Sequence, residues 1–211
     1  GSNINSGGSN TIVGAQAGDA LTTGSFNIAI GYNALTTEDT GERSIAIGYQ
    51  ALAVQNYNGA AYNVAIGHNA GQAITTGQYS TIVGGLAGDA LTTGISNVAI
   101  GYSALSTEDT GQKNVAVGTN ALATLNYDGD GLNTAVGNDA GRYMTTGIQN
   151  TIIGAQAGDA LTVGERNTAL GYSALSAEDT GGHNTGIGYR ALSQLNFDGN
   201  GYNTALGSDA G

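Results

Sequence analysis

The stretch Asn27-Ile28-Ala29-Ile30-Gly31-Tyr32-Asn33-Ala34-Leu35 decides the fold, because versions of it recur twelve times along the chain. Counting the opening Asn or Ser as position zero, every version has Val, Ile or Leu at position three, Gly at position four and Ala at position seven. The opening residues are Asn10, Asn27, Ser44, Asn63, Ser80, Asn97, Asn114, Asn133, Asn150, Asn167, Asn184 and Asn203. A unit this short cannot fold as a separate domain, so it predicts one coil of a solenoid.

The spacing between opening residues is itself periodic. The sequence numbers of successive opening residues differ by 17, 17, 19 and 17 in turn, and this order then begins again. Three super-repeats result, residues 1–70, 71–140 and 141–210. We therefore expect a single β-solenoid segment over residues 1–211, in which each coil touches only its neighbours. Because the chain begins and ends within a repeat, we also expect it to be excised from a longer fibrous protein.

The composition narrows the possible function classes. The 211 residues include 37 Gly, no Pro and no Cys, and they carry a formal net charge of −11 with only five Lys and Arg. Nucleic acids and anionic membrane surfaces bind clustered cations, so this charge disfavours both as partners. Without cysteine the chain forms neither disulfides nor thiolate metal sites. No stretch reaches the ~18 apolar residues of a membrane-spanning helix.

Runs such as residues 27–31 are short, β-branched and bounded by turn residues, which is typical of strands. Strand alternation places positions one and three on one face and position two on the other. We expect the aliphatic residue of position three to face inward, and each coil to contain two short strands. The predicted internal ladder is Ile30, Ile47, Ile66, Val83, Ile100 and Val117. Twelve coils, one strand spacing apart, would form a rod of roughly 55–60 Å.

The units NIAIGYNAL, SIAIGYQAL, NVAIGHNAG and NTALGYSAL resemble the head repeats of trimeric autotransporter adhesins. They are also similar to repeats of phage and viral tail-fibre proteins, in which such segments are joined by TTG-containing loops. The resemblance covers residues 10–211, although the coils are longer than in the adhesin head and lack the Ser that follows Asn there. It implies an all-β, left-handed parallel β-roll that assembles as a parallel homotrimer on a cell surface or a virion.

Loops of the 19-residue units carry the residue pattern of a calcium site. Oxygen-bearing side chains occupy alternate positions before Gly in the second and third copies: Asn126, Asp128, Asp130, Asn196, Asp198 and Asn200. Such alternation forms the first half of a calcium loop, although no Glu follows at its twelfth position. Asn-Gly and Asp-Gly strings also form ordinary turns, and the first copy, at 56–61, lacks the carboxylates. Both interpretations stay open, and we favour the structural turn.

An acidic pair recurs once in each super-repeat, as Glu38-Asp39, Glu108-Asp109 and Glu178-Asp179. Stacked coils would separate successive pairs by ~19 Å, which is too far for two pairs to share a catalytic site. We expect these residues to form a solvated surface that repels other charged chains.

Other candidate residues lie in the repeat columns. Tyrosines that follow the position-four Gly could bind glycans, but packing between subunits or coils is the favoured role: Tyr32, Tyr49, Tyr102, Tyr172 and Tyr189. The threonine pairs suggest an ice-binding lattice, which their uneven spacing disfavours: Thr22-Thr23, Thr75-Thr76, Thr92-Thr93 and Thr145-Thr146. His68 and His183 have no evident nucleophile or metal partner.

These observations predict a structural or adhesive segment of an extracellular or virion fibre, an adhesin head or a tail fibre, that mediates attachment or spaces a receptor-binding tip. The predicted partners are two further copies of the chain and a receptor or glycan on a host cell, with no enzyme activity and no cofactor besides calcium. The alternatives are a solitary solenoid that binds carbohydrate or ice, and a tailspike that degrades polysaccharide. An enzyme site should interrupt the repeat, and we see no interruption.

Overall fold

The computed structural model describes residues 5–211, which form one stack of parallel coils. Each coil contributes one three-residue strand: β1 (Thr11–Val13), β2 (Ile28–Ile30), β3 (Ile45–Ile47), β4 (Val64–Ile66), β5 (Thr81–Val83), β6 (Val98–Ile100), β7 (Val115–Val117), β8 (Thr134–Val136), β9 (Thr151–Ile153), β10 (Thr168–Leu170), β11 (Thr185–Ile187) and β12 (Thr204–Leu206). The strands form a single sheet in sequence order, and every strand pairs only with those of adjacent coils. The predicted all-β parallel solenoid of about twelve coils is confirmed, and its left-handedness stays a prediction.

Left-handed backbone conformations turn the chain within each coil. They occur at the residue before the opening Asn (position minus one), at position six and at position eight; φ is 62° at Phe26, 56° at Asn33 and 51° at Leu35. Bulky residues rarely adopt such φ values alone, so stacking must hold them. The Leu35 N–H, for instance, donates to the Ala51 carbonyl of the next coil at 3.0 Å. Turns this frequent leave one extended run per coil, so the prediction of two strands per coil is wrong.

Gly at position four allows adjacent coils to approach each other closely. A Cβ on Gly31 would lie 2.4 Å from the carbonyl oxygen of Gly48, and φ is 131° at Gly31. A side chain is excluded there on both grounds.

Position two lines the interior of each coil, and position three does not. Ala29 and Ala99 are fully buried, whereas Ile66 and Ile100 are 38% and 37% exposed. The predicted alternation is right but its direction is wrong, and the supposed internal ladder lies on the outer side of the sheet: Ile30, Ile47, Ile66, Val83, Ile100 and Val117. The interior is thin, and positions seven, eight and eleven already fill it. Position two is accordingly Ala in most coils, and the larger Ile82 and Ile152 are buried in coils whose position eight is Gly.

A column of buried asparagines at position zero ties the coils together. Asn27 accepts a hydrogen bond from the Ser44 N–H of the next coil through Oδ1 at 2.9 Å. Its Nδ2 donates to the Gly41 carbonyl of its own coil at 2.8 Å. A buried amide left unpaired would cost about 1–3 kcal/mol, and here both ends of the amide are used. The opening Asn thus extends the hydrogen-bond ladder beyond the end of the strand.

Candidate functional surface

One side of the solenoid is apolar and open to solvent. Positions one and three point outward there, and positions minus one and five flank them; we call this side the strand face. Nineteen large apolar or aromatic side chains are exposed within residues 5–211, and fifteen of them lie at positions minus one, three and five. These fifteen are Val13, Phe26, Tyr32, Tyr49, Tyr62, Ile66, Tyr79, Ile100, Tyr102, Leu132, Leu170, Tyr172, Tyr189, Tyr202 and Leu206. Such one-sided concentration of apolar side chains is characteristic of an interaction surface.

Aromatic rings at position five stack from coil to coil along one border of the strand face. The ring centroids of Tyr32 and Tyr49 are 5.5 Å apart, and those of Tyr49 and His68 are 5.0 Å apart, with nearly parallel planes. Stacking covers both faces of Tyr49, so only its edge and hydroxyl are left for an external partner. Glycans commonly pack against an open aromatic face, and Tyr49 has no open face. The geometry therefore favours a role of this tyrosine in packing between coils over a role in glycan binding.

A second ladder runs along the opposite border, at position minus one. The Arg43 guanidinium lies 5.3 Å from the ring centroid of Phe26 and 5.7 Å from that of Tyr62. Tyr62 in turn stacks on Tyr79, with ring centroids 6.0 Å apart. The sequence interpretation missed this column. Alignment of the units on their opening residue would have revealed it, because aromatic and cationic residues recur directly before that residue.

Position minus one also concentrates the positive charge of an acidic chain. Three of the five Lys and Arg occupy it: Arg43, Lys113 and Arg166. Each forms an ion pair with an acidic side chain, Glu42, Asp130 and Glu165, at N–O distances of 2.9, 2.6 and 2.6 Å respectively. His183 lies in the same column and stacks on Tyr202, with ring centroids 4.9 Å apart. Exposed pairs of this kind contribute little to stability.

The two carboxylates of the second predicted calcium loop have partners in the preceding coil. Asp128 accepts a hydrogen bond from the Thr110 hydroxyl, and Asp130 forms an ion pair with Lys113 at 2.6 Å. The Gln112 and Asp130 backbones also form a parallel bridge. These contacts give the loop a structural role.

The other residues of the predicted calcium loops point elsewhere or have similar partners. Asp198 accepts a hydrogen bond from the Thr180 hydroxyl at 2.8 Å. The Asn200 amide donates to the Tyr202 hydroxyl, and the side chains of Asn126 and Asn196 are exposed. No group of three His, Asp or Glu side chains within residues 5–211 is arranged to hold a metal ion. Calcium binding at these loops stays a prediction.

The glutamates of the recurrent acidic pairs are buried. Glu38, Glu108 and Glu178 are fully inaccessible to solvent, so the prediction of a solvated surface is wrong for them, whereas the neighbouring aspartates are half-buried. The reason is that position eleven, which they occupy, is a core position. Burial raises the pKa of Glu108, and backbone N–H groups that donate to its carboxylate partly offset this. Burial likewise raises the pKa of Asp89 and Asp159.

Threonine hydroxyls are used within the stack. The first member of each predicted pair donates to a carbonyl of the next coil, at 3.2, 3.2, 3.1 and 3.2 Å: Thr22, Thr75, Thr92 and Thr145. These hydroxyls are therefore committed to the protein, which disfavours an ice-binding lattice.

The chain is similar to a known repeat family over part of its length. Residues 28–51 and 40–57 match the family model of the YadA head domain repeat, in two copies that include strands β2 and β3. The predicted resemblance to adhesin head repeats is thereby confirmed. No curated protein and no solved structure matches the chain. Residues 5–211 contain neither a ligand-sized cavity nor a helix that could span a membrane.

Proposed function

We propose that this chain is a structural segment of an adhesin-type fibre, exposed on a cell surface or a virion, and that three parallel copies pack through their strand faces. The one-sided concentration of exposed apolar side chains carries the proposal, because fifteen of nineteen lie on that side. The similarity to the YadA head domain repeat supports the adhesin setting.

The dimensions of the strand face suit a stable interface. Twelve coils at one strand spacing give a length of roughly 50 Å, and the six residue steps from position minus one to position five give a width of at most roughly 20 Å. The resulting area is on the order of 1,000 Å², above the roughly 800 Å² that each partner contributes to a standard interface.

A threefold axis places the two ladders against each other. Rotation brings the position-minus-one border of one copy beside the position-five border of the next, and the apolar strands face the axis. Arg43 would then lie at the height of a neighbour's Tyr49, and Arg166 at the height of a neighbour's Tyr172. Stacking leaves the hydroxyl of these tyrosines open, so the neighbouring guanidinium would donate a hydrogen bond to it, an attraction beyond apolar burial.

The assembly would act as a rigid spacer or as an adhesive head. The repeat continues without interruption through all twelve coils, and no ligand-sized cavity is present in residues 5–211. Attachment to a host receptor or glycan would therefore use the outer surface of the trimer or a tip carried by a longer fibre. This role needs no enzyme activity.

A pair of adjacent residues in β6 tests the proposal. We expect light scattering to give three times the chain mass for the native protein. Ile100→Asp places a charge on the strand face and should dissociate the trimer, with the circular dichroism of the fold recovered at high protein concentration. Ala99→Asp buries an unpaired carboxylate inside one coil and should unfold the chain at every concentration. A native chain that is monomeric and fully folded at micromolar concentration would overturn the proposal and favour a solitary binding solenoid.

A further inference from the structure

Position eleven of the coil is a core position, and three coils hold glutamate there. The remaining coils have an apolar residue or Gln: Leu21, Gln55, Ile74, Leu91, Leu125, Met144, Leu161 and Leu195. Glu38, Glu108 and Glu178 are fully buried, and each belongs to the 17-residue coil that directly precedes a 19-residue coil. Buried glutamate and two-residue insertion thus occur together in all three super-repeats.

In the glutamate coils, the residue at position eight fills the apolar space that the residue at position eleven fills in other coils. In the Gly-type coils a Cβ on Gly88 would lie 2.9 Å from Cδ1 of Leu91, so positions eight and eleven share one space. The glutamate coils have leucine at position eight, as at Leu105, which is fully buried with φ of 53°. In these 17-residue coils leucine fills the core from position eight and leaves position eleven to the glutamate, whereas the longer second coil buries leucine at both positions, Leu122 and Leu125.

Backbone N–H groups from two coils converge on each carboxylate. Oε1 of Glu108 accepts from the Gly111 N–H of its own coil at 2.7 Å, and Oε2 accepts from the Tyr127 N–H of the next coil at 3.2 Å. The first copy repeats both contacts at 2.7 and 3.1 Å, and the third at 2.7 and 3.4 Å. None of the ion pairs within residues 5–211 involves these glutamates.

The longer coil redirects the N–H group that uses this acceptor. Where one 17-residue coil follows another, the N–H of position thirteen can donate to the carbonyl of position twelve above it, as Thr146 does to Thr162 at 3.2 Å. In the longer coil the N–H of Tyr127, at position thirteen, is directed to the coil below, where Glu108 receives it. A buried N–H without an acceptor is destabilising, so the side chain below replaces a backbone carbonyl.

We infer that Glu38, Glu108 and Glu178 specify where the solenoid accepts a two-residue insertion: each carboxylate is the acceptor that allows a 19-residue coil to stack on a 17-residue coil. The glutamate therefore determines which coil projects a longer loop from the stack. This inference concerns the single chain and does not depend on the proposed trimer.

A double-mutant cycle in the full chain tests the coupling between glutamate and insertion. Leu105→Gly with Glu108→Leu recreates the pairing of Gly88 and Leu91 and removes the acceptor without changing the apolar volume greatly. The second change replaces residues 126–132 by the five-residue segment 92–96, which shortens this coil to the length of its two neighbours. We expect each change alone to lower the midpoint of thermal unfolding, and the combination to recover most of the loss. Additive losses would overturn the inference.

Glu108→Gln provides a milder variant that should fold in any case. Its single amide oxygen can accept from Gly111 or from Tyr127 but not from both, so hydrogen exchange should accelerate at one of these two amides. Asp109→Asn, a change in the neighbouring half-buried carboxylate, is the matched control and should leave both amides protected. Unchanged protection of both amides in Glu108→Gln would also overturn the inference.

Discussion

The first and second 19-residue coils differ in how they satisfy the polar groups around the buried glutamate. In the first, Gln55 lies at position eleven above Glu38, and its Nε2 donates to Oε2 of Glu38 at 3.0 Å and to Oγ of Ser44 at 2.9 Å. The Gln55 Oε1 accepts from Nδ2 of Asn63 at 2.9 Å. A side-chain network thus connects three successive coils, and Gln55 uses both ends of its amide.

The second coil replaces this network by apolar packing. Leu125 takes the place of Gln55, and Asn114 takes the place of Ser44. Nδ2 of Asn114 is buried without a protein hydrogen-bond partner, and only backbone groups donate to Glu108. The third copy follows the second, with an unpaired Nδ2 at Asn184.

The comparison teaches that positions zero and eleven of the longer coil are coupled. The short Ser44 side chain leaves its hydroxyl as an acceptor and gives room to the amide of Gln55. Asn114 is larger, and its neighbour is a leucine that offers no polar atom. One coil is therefore polar and paired at these positions, and the other is apolar with one unpaired donor. The solenoid accommodates both arrangements, because each thin core is also stabilised by packing against the adjacent coils.

The largest effect in this comparison is expected from Gln55→Leu. This change removes three hydrogen bonds from buried groups and makes the first coil apolar at position eleven while Ser44 remains. We expect the free energy of unfolding, measured by urea denaturation, to fall by about 1–3 kcal/mol. Gln194→Leu at an exposed position is the control and should change it little. A Gln55→Leu chain as stable as the native one would show that the network contributes nothing.

A smaller effect of opposite sign is expected when the network is transferred to the second coil. Asn114→Ser with Leu125→Gln removes the unpaired Nδ2 and provides Glu108 with a side-chain donor. We expect the double variant to gain about 1 kcal/mol in urea denaturation. Leu125→Gln alone should lose stability, because its amide would meet Asn114 instead of the serine hydroxyl. If the double variant is no more stable than Leu125→Gln alone, the two positions are not coupled.

The repeat explains why so much of the fold was predictable and why one part was not. Twelve aligned units fix the number of coils, the parallel stacking and the Gly column, because each feature must satisfy every copy. Alternation within a strand defines two faces but does not say which is inside, and the recurrent aliphatic residue of position three suggested the wrong one. The alanine of position two held the signal, since most coils leave room for only a small side chain there, and the larger Ile82 and Ile152 fit where position eight is Gly.

The buried glutamates show a different limit of sequence interpretation. A Glu-Asp pair within a polar loop suggests a solvated surface, and local composition offers nothing against it. Alignment by position would have placed Glu108 in the column of Leu91 and Leu161, which indicates burial. The N–H groups that make the burial tolerable come from the next coil, and such contacts are invisible before the stacking is known. The column at position minus one, in contrast, is visible once the units are aligned on their opening residue.

The Glu108 carboxyl should make the free energy of unfolding depend on pH, and we expect this effect to be smaller than those of the two preceding variants. Burial raises the pKa of Glu108 in the folded chain, so the folded state binds the proton more tightly than the unfolded state. The contribution of this carboxyl to the free energy of unfolding is therefore fully present below its unfolded pKa and is lost as the pH rises through the folded pKa. We compare the native protein with Glu108→Gln by urea denaturation. As the pH is lowered, we expect the free energy of unfolding of the native protein to rise relative to that of the variant. A difference that is constant from pH 7 to pH 4 would contradict the raised pKa.

The smallest expected effect is that of calcium on thermal stability. The test compares the first 19-residue coil, whose loop lacks carboxylates, with the other two, whose loops carry them. Asp128 and Asp130 already have partners in Thr110 and Lys113, so calcium would have to displace a hydrogen bond and an ion pair. If the loops are structural turns, the midpoint of thermal unfolding should be the same in millimolar Ca²⁺ and in excess chelator. A calcium-dependent rise of several degrees that Asp128→Asn and Asp130→Asn abolish would instead establish the calcium interpretation. Asn58→Ala in the first copy, which lacks carboxylates, is the matched control and should leave any calcium response intact.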